Sequence, residues 1–521
     1  MSDRDFTLPA DTLRAVLDHW AQRQPQAPFL IAPEDGAALD YAGMRDAAAG
    51  IAARLAGLGL ARGDTVSLMM SNGPTTAALF LGAMYGGLVI SPLNPLAGAE
   101  QLAYVLAHSQ SRAVLVCAEH RPALEAALAM AECAPPVIAA EPDGAPQWPA
   151  AAAEPIHKPG AEDTALLMYT SGTTGRPKGV PLSQRALLHG GLNTVIAHRL
   201  GSDDRALCVL PLYHINGQVV TVIAPLVSGG SVVMPRRFSA TRFWRWVIEQ
   251  RCSWFSVVPT IIAYLLKGED ALSDADRAAL QNVRFGRSAS APLPPAIHRE
   301  FEQRFGIAIV ETMGLTETAA QILSNPLDKS RHKLGSPGIA YGNQVIVADA
   351  SGQPCAAGQT GELWVRGANV MDGYFRNPQA TAEAITADGW LRTGDLGHRD
   401  ADGYFFITGR LKELIIKGGE NIAPREIDDV LYRHRAVLEA AAVGVADADY
   451  GQQIDACVVL KPGMRCDAQT LRDFCSEHLT PYKTPRDIYF LAEAQMPKGP
   501  SGKIQRLKLV DLIESGRLAR A

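Results

Sequence analysis

Helical and strand-like segments alternate along most of this chain, and that alternation limits its fold more than any single motif does. Residues 41–56 read as a helix and 65–70 as the strand after it. The same order returns at 75–84 and 88–90, and again at 100–107 and 113–117. Segments that take turns in this way pack as layers of sheet and helix, so the fold class is α/β. Ahead of them Leu13, Val16, Leu17 and Trp20 space out an amphipathic helix that Pro25 ends. Further strands are expected at 206–210, 231–234 and 254–258, while the apolar residues and glycines of 361–374 suit a hairpin. From about residue 426 the order is helix, strand, strand, helix. The chain's 521 residues exceed the usual size of one hydrophobic core, which calls for two or more domains. The Ala- and Pro-rich stretch 134–159 reads as a surface connection.

One string stands out from this background: YTSGTTGRPKGV at 169–180. It joins an apolar strand-like run, 165–168, to a second extended piece, 180–182, after which Ser183 can cap a helix. Thr170, Ser171, Thr173 and Thr174 offer hydroxyls, and Gly172 and Gly175 let backbone N–H groups approach an anion directly. Arg176 and Lys178 add positive charge, so the loop suits a polyphosphate. A Walker loop is excluded, because that pattern needs Gly-Lys-Ser/Thr running into a helix, whereas Lys178 precedes Gly179 and Val180. Net charge is −5, so such a ligand must be held by local cations, and nothing points to nucleic acid as a partner. The most apolar stretch, 77–90, is too short to span a bilayer and contains Gly82, Gly86 and Gly87. Eight cysteines without a CxxC pair indicate neither zinc nor a disulfide framework. With Asp3, Arg4 and Asp5 at its start the chain lacks a signal-peptide pattern, and a cytoplasmic location is expected.

The 169–180 string resembles the signature loop of the adenylate-forming superfamily, which includes acyl- and aryl-CoA synthetases, peptide-synthetase adenylation domains and firefly luciferase. Four further segments resemble that family in the expected order. The resemblance implies a large N-terminal domain of layered sheets and helices, 1–411, and a small mobile α+β domain, 412–521. In RSASAPL, Ser290, Ala291 and Pro292 are implied to border the AMP moiety, with Ala289, Ser290 and Ala291 replacing the family's common Gly-Gly-Ala. In ETMGLTE, Met313 and Gly314 are implied to adjoin the adenine, Met313 standing where most members carry an aromatic residue. Thr316 is implied at the α-phosphate and Glu317 as the magnesium ligand, Mg2+ being a hard cation that takes oxygen. Asp395 of WLRTGDL and Arg410 are implied at the ribose, Lys412 as the hinge, and Gly418 and Gly419 along the CoA path. Lys503, in MPKGPSGKIQR, is implied as the catalytic lysine.

These assignments imply a ligase that uses ATP and CoA. The acid is activated as its adenylate with release of pyrophosphate, and CoA then displaces AMP. The segments PLYHING, VVMPRRFSATRFW and RSASAPL look most like the branch with oxalyl-CoA synthetases, which implies a short polar or dianionic acid such as oxalate, malonate or sulfoacetate. His214, Val258 and Ser288 are expected to line the acyl pocket, with Arg236 or Arg237 pairing a second anionic group. Medium-chain or aromatic acids, or a carrier protein as acceptor, are the alternatives. A non-catalytic binding protein would be expected to lack Lys503, Glu317 or Asp395, and all three are present.

Overall fold

The structure, a computed structural model, describes residues 6–150, 152–170, 176–268, 272–498 and 504–518. Four sheets form among them. The first, six-stranded, runs Val137–Ala139, Ser111–Val116, Thr65–Met69, Val89–Pro92, Thr164–Thr170 and Lys178–Ser183, parallel except at the last pair. The second, nine-stranded, has a parallel centre of Ile309–Leu315, Phe285–Ser288, Trp254–Val257, Arg205–Cys208, Ser231–Val233 and Pro28–Ile31.

Parallel sheets must be covered on both faces. The two sheets share one core, in which Val66, Ile90 and Leu166 of the first join Ala206, Trp254 and Phe285 of the second. Helix Pro74–Tyr85 is buried on almost every side within it, as its apolar composition requires. Helix starts follow the expected chemistry: Thr12, Asp40 and Ser183 each accept a hydrogen bond from the backbone N–H three residues on. The other face of the nine-stranded sheet packs Leu207, Phe255 and Ile309 against helices Ala240–Glu249 and Pro295–Phe305.

Two expectations change. The connection 134–159 contributes Val137–Ala139 as an edge strand, because Pro136 O can accept from Val114 N. Residues 361–374 do not form a hairpin of their own. Only Gly361–Arg366 is a strand, and its partners are Gln344–Ala348 and Leu391–Arg399 in a four-stranded antiparallel sheet closed by Phe405–Arg410.

From Ile415 onward a five-stranded sheet encloses two apolar clusters of its own. Helices Pro424–Leu431 and Ala468–His478 cover one face, and Arg506–Glu514 covers the other. This part touches the rest through a few polar contacts, such as Arg425 Nη1 donating to Ile407 O at 2.6 Å and Lys267 Nζ lying 3.7 Å from Glu493 Oε2. No helix among the described residues is long and apolar enough to cross a membrane.

Candidate active site

Strands Thr164–Thr170 and Lys178–Ser183 are antiparallel, with Thr170 opposite Lys178, so the signature string closes a hairpin at the sheet end. Ser171, Gly172, Thr173, Thr174 and Gly175 lie outside the described residues. The ammonium of Lys178 sits 4.7 Å from the centroid of the Tyr374 ring. At the edge of that ring the Tyr374 hydroxyl donates to Glu317 Oε1 at 3.0 Å. Burial and the neighbouring Glu317 carboxylate push the phenol well above its ordinary range, so it remains a donor.

Glu317 is held by its backbone. Strand Ile309–Leu315 ends in the tight turn Thr316–Thr318, where Thr318 Oγ1 accepts from Leu315 N at 3.1 Å. Asn369 Nδ2 donates to Thr318 O at 2.8 Å, and Met371 N donates to Glu317 O at 2.9 Å. The segment leading to Tyr374 therefore fastens the turn as well as reaching its carboxylate. Gly314 has a local reason too: a Cβ there would fall 1.8 Å from the Ala320 carbonyl oxygen. Met313 is half-buried against the shared core. Ser290 takes a left-handed φ of 71°, Ser290 and Pro292 are exposed, and Ala291 is half-buried just past the end of strand Phe285–Ser288. A side chain in that conformation is strained by roughly 1 kcal/mol relative to glycine.

Asp395 and Arg410 face each other on neighbouring strands, Nε to Oδ1 at 2.9 Å, with Asp395 buried. Glu362 shapes the approach: its carboxylate accepts from Gly394 N at 2.8 Å, where Gly394 has φ of 72°, and from Trp364 Nε1 at 2.8 Å. Thr393 Oγ1 then accepts from Asp395 N at 3.0 Å. Burial pulls the Arg410 guanidinium down, but the carboxylates of Asp395, Glu413 and Glu317 outweigh it and hold it above its ordinary value.

Lys412 lies exposed in the short turn Leu411–Glu413, directly before the C-terminal sheet. Gly418 and Gly419, with φ of 54° and 85°, form the two-residue turn between Ile415–Lys417 and Glu420–Ile422, a conformation that asks for glycine whatever else passes by. Lys503 lies outside the described residues.

On the acyl side His214 is half-buried, its ring 4.7 Å from that of Tyr213. Asn72 clamps the chain before it, donating to Leu210 O and accepting from Leu212 N, both at 2.9 Å. After His214 the chain winds into a helical segment with the wide π pattern, Asn216–Ile223, which the sequence reading left unassigned. Val258 is half-buried at the end of strand Trp254–Val257. Ser288 is fully buried beside Glu311, on the face of the sheet turned away from Asn216–Ile223, since side chains alternate along a strand. Arg236 and Arg237 do not enter a pocket. Both are exposed, and Arg236 pairs with Asp143 while its backbone N–H donates to Glu34 at 2.9 Å. Strand Ser231–Val233 has already ended, so these side chains leave the sheet for solvent.

Three residues that the motif reading passed over belong to this region: Tyr374, Glu362 and Arg287. Tyr374 and Glu362 sit in a segment read as structural. For Arg287 a signal was available, namely a charge in the middle of an otherwise buried strand of a parallel sheet, Phe285–Ser288.

Residues 17–375 match the family described as AMP-binding enzyme, and residues 426–503 match the AMP-binding enzyme C-terminal domain. A sulfoacetate–CoA ligase of Cupriavidus necator is 52% identical over 96% of this chain and 98% of its own. An oxalate–CoA ligase of Arabidopsis thaliana is 34% identical, again over 96% of this chain and 98% of its own. Among solved structures, ATP-bound MatB from Rhodopseudomonas palustris aligns with a TM-score of 0.88 at 30% identity, covering 96% of this chain and 99% of that one.

Proposed function

The chain belongs to the AMP-binding enzyme family of AMP-forming acid–thiol ligases, and from that premise we propose that it joins a short dianionic acid, of the sulfoacetate, oxalate or malonate kind, to CoA. The observation that carries this reading is the chain of contacts from Lys178 through Tyr374 to Glu317, with the buried Asp395–Arg410 pair lying within the field of Glu317. The 52% identical relative supports the choice of acid. The cytoplasm, with its ATP and CoA, is the compartment that suits this reaction.

A carboxylate cannot acylate a thiol directly, because oxide is a poor leaving group. Its attack on the α-phosphate of ATP gives an acyl-adenylate and pyrophosphate. Negative charge gathers on phosphorus oxygens in that transition state, and fixed cations stabilise it. Thr170, Lys178 and the loop between them hold the departing phosphates. Asp395 accepts from the ribose hydroxyls while Arg410 steadies its carboxylate. Ser290, Ala291, Pro292, Met313 and Gly314 border the adenosine. Thr316 meets the α-phosphate, and Lys503 binds the attacking carboxylate and the same phosphate. Glu317 suits Mg2+: it offers hard carboxylate oxygens, and Oε2 takes no hydrogen bond from any described residue. When bound there, the ion supplies charge neutralisation at the phosphates. Tyr374 orients the carboxylate through its other oxygen. For the second half-reaction the C-terminal domain turns about Lys412, withdrawing Lys503 and bringing Gly418 and Gly419 to the CoA thiol.

The test is CoA-dependent AMP release over a panel of sulfoacetate, oxalate, malonate, propionate, a medium-chain fatty acid and benzoate. A kcat/KM for a dianionic acid well above that for propionate is expected. Preference for a neutral-tailed acid would overturn the substrate class, and pyrophosphate release without CoA dependence would point to a carrier-protein acceptor.

A further inference from the structure

We infer that Arg287 is the seat of the acid's second anionic group, the carboxylate or sulfonate that is not activated; this rests on the ligase reading above. Arg287 stands in the middle of strand Phe285–Ser288, 2% exposed, flanked in register by Ser256 and Val310. Its face of the sheet is the one that looks toward Asn216–Ile223. The partners identify the surroundings. Nη1 donates to Asn216 Oδ1 at 3.0 Å and to Ser256 Oγ at 3.2 Å, and Ser256 Oγ in turn donates to the same Asn216 oxygen at 3.0 Å. Asn216 follows His214 by two positions and Ser256 precedes Val258 by two. The strand itself runs on into Ser290, Ala291 and Pro292. Three separate stretches of the acyl side therefore meet at this guanidinium.

What it lacks is a counter-charge. Its hydrogen-bond partners Asn216 and Ser256 are neutral, and no ion pair to Arg287 forms among the described residues. Its Nε and the Nδ2 of Asn216 are both buried and have no acceptor. Each is a donor, so the pair asks for an acceptor-rich group. Burial lowers the guanidinium to about 9, and it stays protonated at neutral pH. A buried cation without an anion is costly to keep. An arriving carboxylate or sulfonate would satisfy charge and donors at once, and the planar fork matches either group through two oxygens. Arg236, the earlier expectation, already has Asp143 and lies in solvent.

The experiment compares wild type with Arg287→Met and Arg287→Lys. It measures kcat/KM for sulfoacetate, malonate and propionate by AMP release, together with the KM for ATP and thermal unfolding. In Arg287→Met the preference for either dianion over propionate should fall roughly 100-fold, chiefly through KM, with the ATP KM unmoved. Arg287→Lys, which keeps the charge and loses the fork, should lower that preference about tenfold and recover part of the loss. Whether sulfoacetate or malonate suffers more distinguishes sulfonate from carboxylate, and either supports the assignment. Equal loss for all three acids, with a lowered unfolding temperature, would make Arg287 only a tie between strand and helix and overturn the inference. If Arg287→Met does not fold, an unchanged preference in Arg287→Lys overturns it. A wild type that favours propionate overturns both this assignment and the substrate class. A wild type that favours a dianion, and keeps that preference after the substitution, overturns this one alone.

Discussion

Two arginines assigned to the proposed site live in opposite company. Arg410, at the ribose end, has Asp395 at 2.9 Å and the fields of Glu413 and Glu317, which together hold its charge more firmly than water would. Arg287, at the acyl end, is enclosed by Asn216 and Ser256 and is pulled down by burial alone. The difference teaches where a binding site carries its own counter-charge and where it leaves room for one. On the proposed reading the ribose is neutral, so the arginine assigned beside it needs a carboxylate from the protein. A dianionic acid brings its own.

Breaking the balanced end should have the largest effect. Asp395→Asn removes the charge that pairs with Arg410 and replaces one acceptor oxygen, at the place proposed for the ribose hydroxyls, with a donor. We expect kcat/KM for ATP to fall roughly 100-fold, with the dianion preference over propionate intact. An unchanged ATP dependence would remove Asp395 from the nucleotide site.

A second substitution sharpens the contrast on the opposite face of the same strands. Glu311 is buried, Leu293 N donates to its Oε1 at 3.3 Å, and burial pushes it up to about 7 despite Arg425. Its folded value is thus raised above the ordinary 4.5. The stability it contributes is present below the unfolded value and is lost as pH rises toward 7. Glu311→Gln mimics the protonated form. The variant should match wild type near pH 4.5 and exceed it at pH 7.5 by about 3 kcal/mol. Denaturant unfolding at the two pH values checks this, and equal differences at both would show that Glu311 ionises freely in the fold.

The smallest effect is expected at Arg236, whose partner Asp143 shares an exposed surface. Arg236→Ala should change stability by less than about 1 kcal/mol and leave the order of acids as it was. A lost dianion preference in this variant would return the second anion to the surface arginine and weaken the case for Arg287.

Most of the layered architecture was legible along the chain, because alternating helix and strand periods are local properties. Helices expected at 41–56 and 75–84 form as Tyr41–Gly57 and Pro74–Tyr85, and the strand at 65–70 forms as Thr65–Met69. Glu317 and Asp395 were proposed from short strings that resemble family motifs, and each resemblance is carried by contiguous residues. Tyr374 was not, since its role depends on a carboxylate 57 positions away. Glu362 reaches Gly394 across 32 positions, and Arg287 reaches Asn216 across 71.

The sequence by itself determined the α/β class and the position of the signature string between two strands, and through the family resemblance it proposed Glu317 and Asp395 for the nucleotide end. It could not say which arginine of the acyl side is inside. Arg236, Arg237 and Arg287 all stand in or just after short apolar runs, and composition treats them alike. Only the tertiary structure decided among them. Strand register carries Arg287 into the interior, beside Ser256 and under Asn216, while the end of strand Ser231–Val233 releases Arg236 to solvent. Burial and partner are properties of the packed sheet, and they turn one ordinary arginine into a desolvated cation held by neutral partners alone.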